Sequence, residues 1–157
     1  HFDGHSACKV RLHPAETRRH KGLCPACGKP VTVGVMARVE DLADRPEGMK
    51  AVRSRPYRSL IPLEEVIAEA RGTGKTSKKV QALYFEMIGR LGPELPILME
   101  VPLKDIQSVA GDVVAEGVRR MRGGKVNIAA GYDGEYGVIK IFDEAERGRI
   151  EGQMSFL

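Results

Sequence analysis

The sequence predicts an α+β fold in which a small Cys/His module precedes a mainly helical region with a C-terminal β-hairpin. Three observations carry this reading. All three cysteines and all four histidines fall within residues 1–35. Residues 62–122 repeat apolar side chains at helical spacing, broken by Gly and Pro. Asp133-Gly134 stands between two short apolar runs, a strong hairpin signal. At 157 residues, with 29% charged and 42% hydrophobic residues, the chain can bury a core and does not read as disordered. Trp is absent and aromatics are few, so that core rests on Val, Leu, Ile, Ala and Met.

The elements follow in order. Residues 30–35 alternate and are β-branched, which predicts a strand, and a short helix follows over 35–43. Residues 44–61 are irregular and basic, punctuated by Pro46, Gly48 and Pro56. Pro62 suits the first position of a helix that places Leu63, Val66, Ile67 and Ala70 on one face. Thr76 or Ser77 caps a second helix with Val80, Leu83, Tyr84, Met87 and Ile88 on one stripe, ended by Gly92-Pro93. Pro102 opens a third through Leu103, Ile106 and Val109. Gly111 separates it from a fourth carrying Val113, Val114, Gly117, Val118 and Met121. Residues 125–142 form the hairpin. The expected organisation is a module at 1–45, a basic connector at 46–61, a helical region with hairpin at 62–142, and a charged tail at 143–157.

The cysteine spacing points to a metal. Zn2+ takes four N or S ligands in a tetrahedron, and two residues separated by two others can both turn inward from one tight knuckle. His5-x-x-Cys8 and Cys24-x-x-Cys27 make two such knuckles, with Gly28 relaxing the backbone after the second. His5, Cys8, Cys24 and Cys27 are therefore expected to build a zinc ribbon, although His1, His13 and His20 compete for the fourth place. Four protein ligands leave no position for a reacting water, so the zinc is structural. The odd cysteine count argues against a disulfide framework and for a reducing, cytoplasmic compartment. A thioredoxin-like pair at Cys24 and Cys27 lacks the strand–helix context it needs.

Two features imitate chemistry. Gly72-Thr-Gly-Lys-Thr76 resembles the end of a phosphate-binding loop, but the full pattern needs Gly where Glu69 stands. Glu64, Glu65, Glu69, Glu100, Asp105, Asp112 and Glu116 read as solvated helix faces, with no His cluster to pair them into a catalytic site. The chain alone is expected neither to hydrolyse ATP nor to cut DNA.

Charge points to a polyanion. The net charge is +4, with bases at Arg53, Arg55, Arg58, Lys78, Lys79, Arg119 and Arg120. These are expected to contact DNA phosphates, a sequence-blind and salt-sensitive mode. Gly111 between short helices is similar to half of a helix–hairpin–helix, with Val113 in place of the second glycine. No apolar run approaches the roughly 20 residues that a membrane helix needs.

Four segments in order resemble the C-terminal part of endonuclease Q-like proteins. They are Asp3-Gly4-His5-x-x-Cys8, Cys24-Pro25-x-Cys27-Gly28-Lys29-Pro30, Val39-Glu40-x-Leu42-Ala43-Asp44-Arg45-Pro46, and Gly131-Tyr132-Asp133-Gly134-x-Tyr136-Gly137. The resemblance implies a polypeptide with an N-terminal PHP-type metallohydrolase domain, a zinc-binding domain and a helical C-terminal region. It implies nicking beside deaminated bases such as uracil and hypoxanthine, and at abasic sites, in the nucleoid. The catalytic residues belong to the PHP-type domain, and none transfers here. Because the chain begins at His1 without an initiator Met, a fragment is expected. Gln153, Met154, Phe156 and Leu157 resemble the peptide by which bacterial repair proteins dock on the sliding clamp, with the last pair inverted. The rival expectation is a zinc-ribbon scaffold that binds protein and has no role in DNA cleavage.

Overall fold

The computed structural model describes residues 1–143 and 146, and the fold is α+β. The clamp-like peptide at 153–157 lies outside the described residues. Among the described residues two compact units are present: residues 1–56 with 128–139, and residues 57–127 with 140–143 and 146.

In the first unit, β1 (Asp3–His5) pairs antiparallel with β2 (Val10–Leu12), with Gly4 opposite Arg11. A 3₁₀ turn at Ser6–Cys8 joins them, and Lys9 completes it in the left-handed conformation with φ 53°. Thr32 bridges Gly4 on the other side, with N–H···O distances of 3.0 and 2.8 Å. The expected strand at 30–35 is thus reduced to isolated bridges at Pro30 and Thr32. Proline has no N–H to donate to a ladder.

Helix α1 (Pro14–Arg19) was not anticipated. At six residues it is too short to show a period, and it hides between the two knuckles. His13 caps it. The ring Nδ1 accepts from Ala15 N–H at 3.2 Å, and Glu16 accepts from His13 N–H at 2.7 Å. Helix α2 (Val35–Leu42) matches the expected short helix, and the buried Asp3 carboxylate fixes its start by accepting Gly34 N–H at 2.7 Å.

The second unit holds the larger core. Helices α3 (Leu63–Ala70), α4 (Lys78–Leu91), α6 (Leu103–Ala110) and α7 (Asp112–Arg122) fall where the apolar stripes placed them. Ser77 caps α4 by accepting Val80 N–H at 3.3 Å. Pro62 and Pro102 sit one residue before their helices rather than inside them. Leu63, Val66, Ile67, Val80, Met87, Ile106, Val114 and Val118 are fully buried together. Gly117 lets α3 and α7 approach, because a Cβ there would meet Val66 Cγ1 at 3.0 Å.

Helix α5 (Glu94–Met99) is a second unanticipated element. Pro96 reads as a breaker in sequence, yet it occupies the first turn, where its missing N–H has no helical partner to lose. Glu94 then reaches back to accept Leu63 N–H at 2.8 Å and the Tyr84 hydroxyl at 3.0 Å. Arg122 donates to the carbonyls of Ile97, Leu98 and Val101 at 2.7–2.9 Å, closing the α5 end.

The hairpin consists of β3 (Asn127–Ala129) and β4 (Val138–Lys140). Its connecting residues group with the Cys/His unit, although sequence order had placed the hairpin in the helical region. Phe2 N–H donates to Gly131 O at 2.8 Å, and Arg11 donates to Ala130 O at 3.2 Å.

Candidate metal centre

The two knuckles converge. One ligand atom from each of His5, Cys8, Cys24 and Cys27 lies within 4.8 Å of every other, and His5 Nδ1 is 3.3 Å from Cys27 Sγ. Tetrahedral zinc, with Zn–S near 2.3 Å and Zn–N near 2.0–2.1 Å, sets neighbouring donors roughly 3.5–3.8 Å apart. The cluster is therefore close enough to hold a metal ion, and three sulfurs with one imidazole suit zinc. His13 is occupied as the α1 cap and packs edge-on to Phe2, leaving His5 with the cysteines.

Backbone geometry builds each knuckle. Gly28 takes φ 73° and donates to Cys24 O at 2.8 Å, while Cys24 N–H donates to Lys29 O at 2.7 Å. Burial pushes the Cys24 thiol up, but N–H groups of Ala26 and Cys27, with the His5 and Cys27 side chains, bring it down to about 7. Cys8 moves the other way, to about 11, through its hydrogen bond with Cys27, burial, and the adjacent Cys24. Such crowding of thiols is what a bound cation relieves, since it favours the deprotonated form of every ligand.

This unit needs such a staple. Its buried apolar cluster is Leu12, Cys24 and Val31, with Cys8 and Val10 partly buried against them. That core is too small to hold a unit of 68 residues by itself.

Known proteins resemble this chain in sequence and fold. The family described as the MJ0043 C-terminal domain matches residues 62–125. The chain is 34% identical over 139 residues to uncharacterized protein MJ0043 of Methanocaldococcus jannaschii, covering 88% of this chain and 18% of that one. It is 32% identical over 137 residues to uncharacterized protein YqxK of Bacillus subtilis, covering 86% and 32%. The lesion-specific endonuclease PfuEndoQ from Pyrococcus furiosus superposes with a TM-score of 0.78 at 33% identity, over 99% of this chain and 38% of its own. A structure of endonuclease Q with a 27-mer duplex substrate, an abasic lesion at its active site, gives 0.73 at 33% identity over 92% and 36%. The chain is an endonuclease Q-like C-terminal part. It spans well under half the length of each of these proteins.

Within this endonuclease Q-like part, the seven bases marked by the sequence have different surroundings. Arg53, Arg55, Arg58, Lys78 and Lys79 are exposed. Arg119 is exposed but pairs with Glu116 at 2.6 Å. Arg120 is engaged internally: it pairs with Glu116 at 2.9 Å and Glu146 at 2.8 Å, donates to Ile141 O, and lies 5.0 Å from the Phe142 ring centroid. The Gly111 turn is also less hospitable to phosphate than its spacing implied. Asp112 opens α7 with a carboxylate where an anion would bind.

The carboxylates expected to be merely solvated include two with structural roles. Glu69 and Glu116 are half-buried and accept hydrogen bonds from backbone or Arg groups, and Glu94, which the sequence did not single out, does the same. The glycine-rich turn between α3 and α4 follows a helix, not a strand, and Lys75 pairs with Glu65 at 2.9 Å. Among the described residues no helix is long and apolar enough to cross a membrane.

Proposed function

We propose that this chain is the DNA-engaging, zinc-stabilised portion of an endonuclease that nicks DNA at deaminated bases or abasic sites. The metal-assisted hydrolysis of the phosphodiester belongs to a PHP-type domain of the same polypeptide, outside this chain. The carrying observation is the likeness to a lesion-specific endonuclease over 99% of the chain at 33% identity. His5, Cys8, Cys24 and Cys27 hold zinc as a folding cross-link, with no open position for chemistry. Arg53, Arg55, Arg58, Lys78 and Lys79 supply phosphate contacts, and Arg119 adds to them. Lys78 and Lys79 open α4, whose N-terminus adds its own attraction for anions. A lesion inside a stack is unreachable, so the damaged base is extruded during recognition. The protein acts in the cytoplasm at the nucleoid, and the tail residues Gln153, Met154, Phe156 and Leu157 contact the sliding clamp.

The test is binding of the zinc-loaded chain to a duplex containing uracil or an abasic site, measured by fluorescence anisotropy from low to high salt. Affinity should fall steeply with salt, and each of R53A, R55A, K78A and K79A should lower the log–log slope by about 1. No binding at low salt, or binding indifferent to salt, overturns the reading and favours a protein-binding scaffold.

A further inference from the structure

The segment 130–137 is not a free loop. Tyr132 and Glu135 close a tight turn through reciprocal backbone hydrogen bonds of 3.1 and 2.7 Å. Asp133 at φ 41° and Gly134 at φ 80° supply the two left-handed residues that such a turn demands. The Asp133 carboxylate accepts Ser6 N–H at 2.5 Å, directly after the ligand His5. Phe2 bridges Tyr132, and the Tyr132 ring packs onto Gly4 so closely that no Cβ fits there. The turn is thus bolted to the strand that carries the first metal ligand.

What this scaffold presents is an aromatic ring. Tyr136 follows the turn and is 89% exposed, in a chain with only four Tyr, four Phe and no Trp. Folding gains nothing from leaving it in water. A cation stands at the base of the segment: Arg11 is exposed and donates to Ala130 O. An uncovered aromatic ring next to an anchored turn and an exposed cation is how proteins receive an unstacked nucleobase, with the ring taking the base face and the cation a phosphate.

We propose that Tyr136 is a base-stacking residue that receives a nucleobase at the lesion, positioned by the Asp133–Ser6 anchor. This rests on the DNA-engaging reading above and adds the contact that reads the opened helix. Phosphate contacts hold any duplex, whereas a stacking platform favours DNA in which a base is already free to leave the stack.

The experiment uses the zinc-loaded chain with two duplexes, one intact and one with an abasic site opposite 2-aminopurine. Tyr136→Ala should weaken binding to the lesion duplex at least about fivefold, the low end for a base-stacking aromatic. It should leave intact-duplex affinity and the salt slope within error, because no charge is removed. Tyr136→Phe keeps the ring face and should stay within twofold of wild type. The change in 2-aminopurine emission on binding should be lost in Y136A and kept in Y136F. Because the side chain is almost wholly exposed, neither variant should alter zinc content or helical circular dichroism. If wild type binds the lesion duplex and Y136A binds it equally well, this assignment fails and the DNA reading survives. The same holds if Y136F fails as badly as Y136A. If wild type binds neither duplex at low salt, both fall.

Discussion

The Glu69 carboxylate accepts the backbone N–H groups of Ile141 and Phe142 at 2.7 and 2.9 Å, tying α3 to the chain just beyond β4. Both donating residues are buried, at 1% and 4% exposure, so no water stands ready to replace the carboxylate. The residue that breaks the apparent phosphate-loop pattern therefore has a structural role of its own.

Substitution at Glu69 should register in stability and leave nucleotide chemistry absent. Glu69→Ala strands two buried donors, at about 1–3 kcal/mol each. Glu69→Gln keeps an acceptor oxygen and should lose less. Glu69→Gly restores the phosphate-loop spelling, and is expected to unfold at lower denaturant than Glu69→Ala, since glycine adds about 1 kcal/mol in a helix. Urea melts give the order. Phosphate release from ATP by the glycine variant would show that the motif had been misjudged.

Metal removal should separate the two units. The helical unit has its own extensive core, while the Cys/His unit buries little beyond Leu12, Cys24 and Val31. Elemental analysis of chain purified without chelator should give one zinc per molecule. Cys24→Ser, or a strong chelator, removes a term on the order of 10 kcal/mol from the first unit. Proteolysis should then cut within residues 1–56 while 62–122 stays protected. Equal protection of both units without metal would count against a folding role for zinc.

Acid should weaken the helical unit through Glu116. Hydrogen bonds from Arg119 and then Arg120 hold its carboxyl at about 2, well below an ordinary glutamate. A depressed folded-state value means the stabilisation is complete above about pH 4.3 and is lost as pH falls through about 2. With Arg119 half exposed, solvent screening reduces the effect to about 1–2 kcal/mol. Glu116→Gln should lower stability at neutral pH and flatten its fall between pH 4 and 2. Thermal melts across that range measure both, and an unchanged slope in the variant would assign the acid sensitivity elsewhere.

What the sequence determined by itself is local. Helical spacing placed α3, α4, α6 and α7, Ser77 was legible as a cap, and two x-x spacings named the four residues that meet at the metal centre. Each is a relation between residues a few positions apart, where periodicity and backbone sterics act directly. The tertiary structure decided the rest. Ser6 and Asp133 are 127 positions apart, and no local pattern announces that the hairpin turn belongs with the Cys/His unit. Nor does one distinguish a carboxylate in water from Glu69 or Glu94 reaching a distant N–H. Arg120 reads as a cation available to DNA, yet it is held by Glu116 and Glu146, and nothing local announces that Arg122 caps the carbonyls that end α5. Helix α5 was hidden because Pro96 breaks helices everywhere except in the first turn. A charged or polar side chain takes its meaning from whatever buried donor or acceptor comes within 3 Å of it, and folding alone brings those groups together.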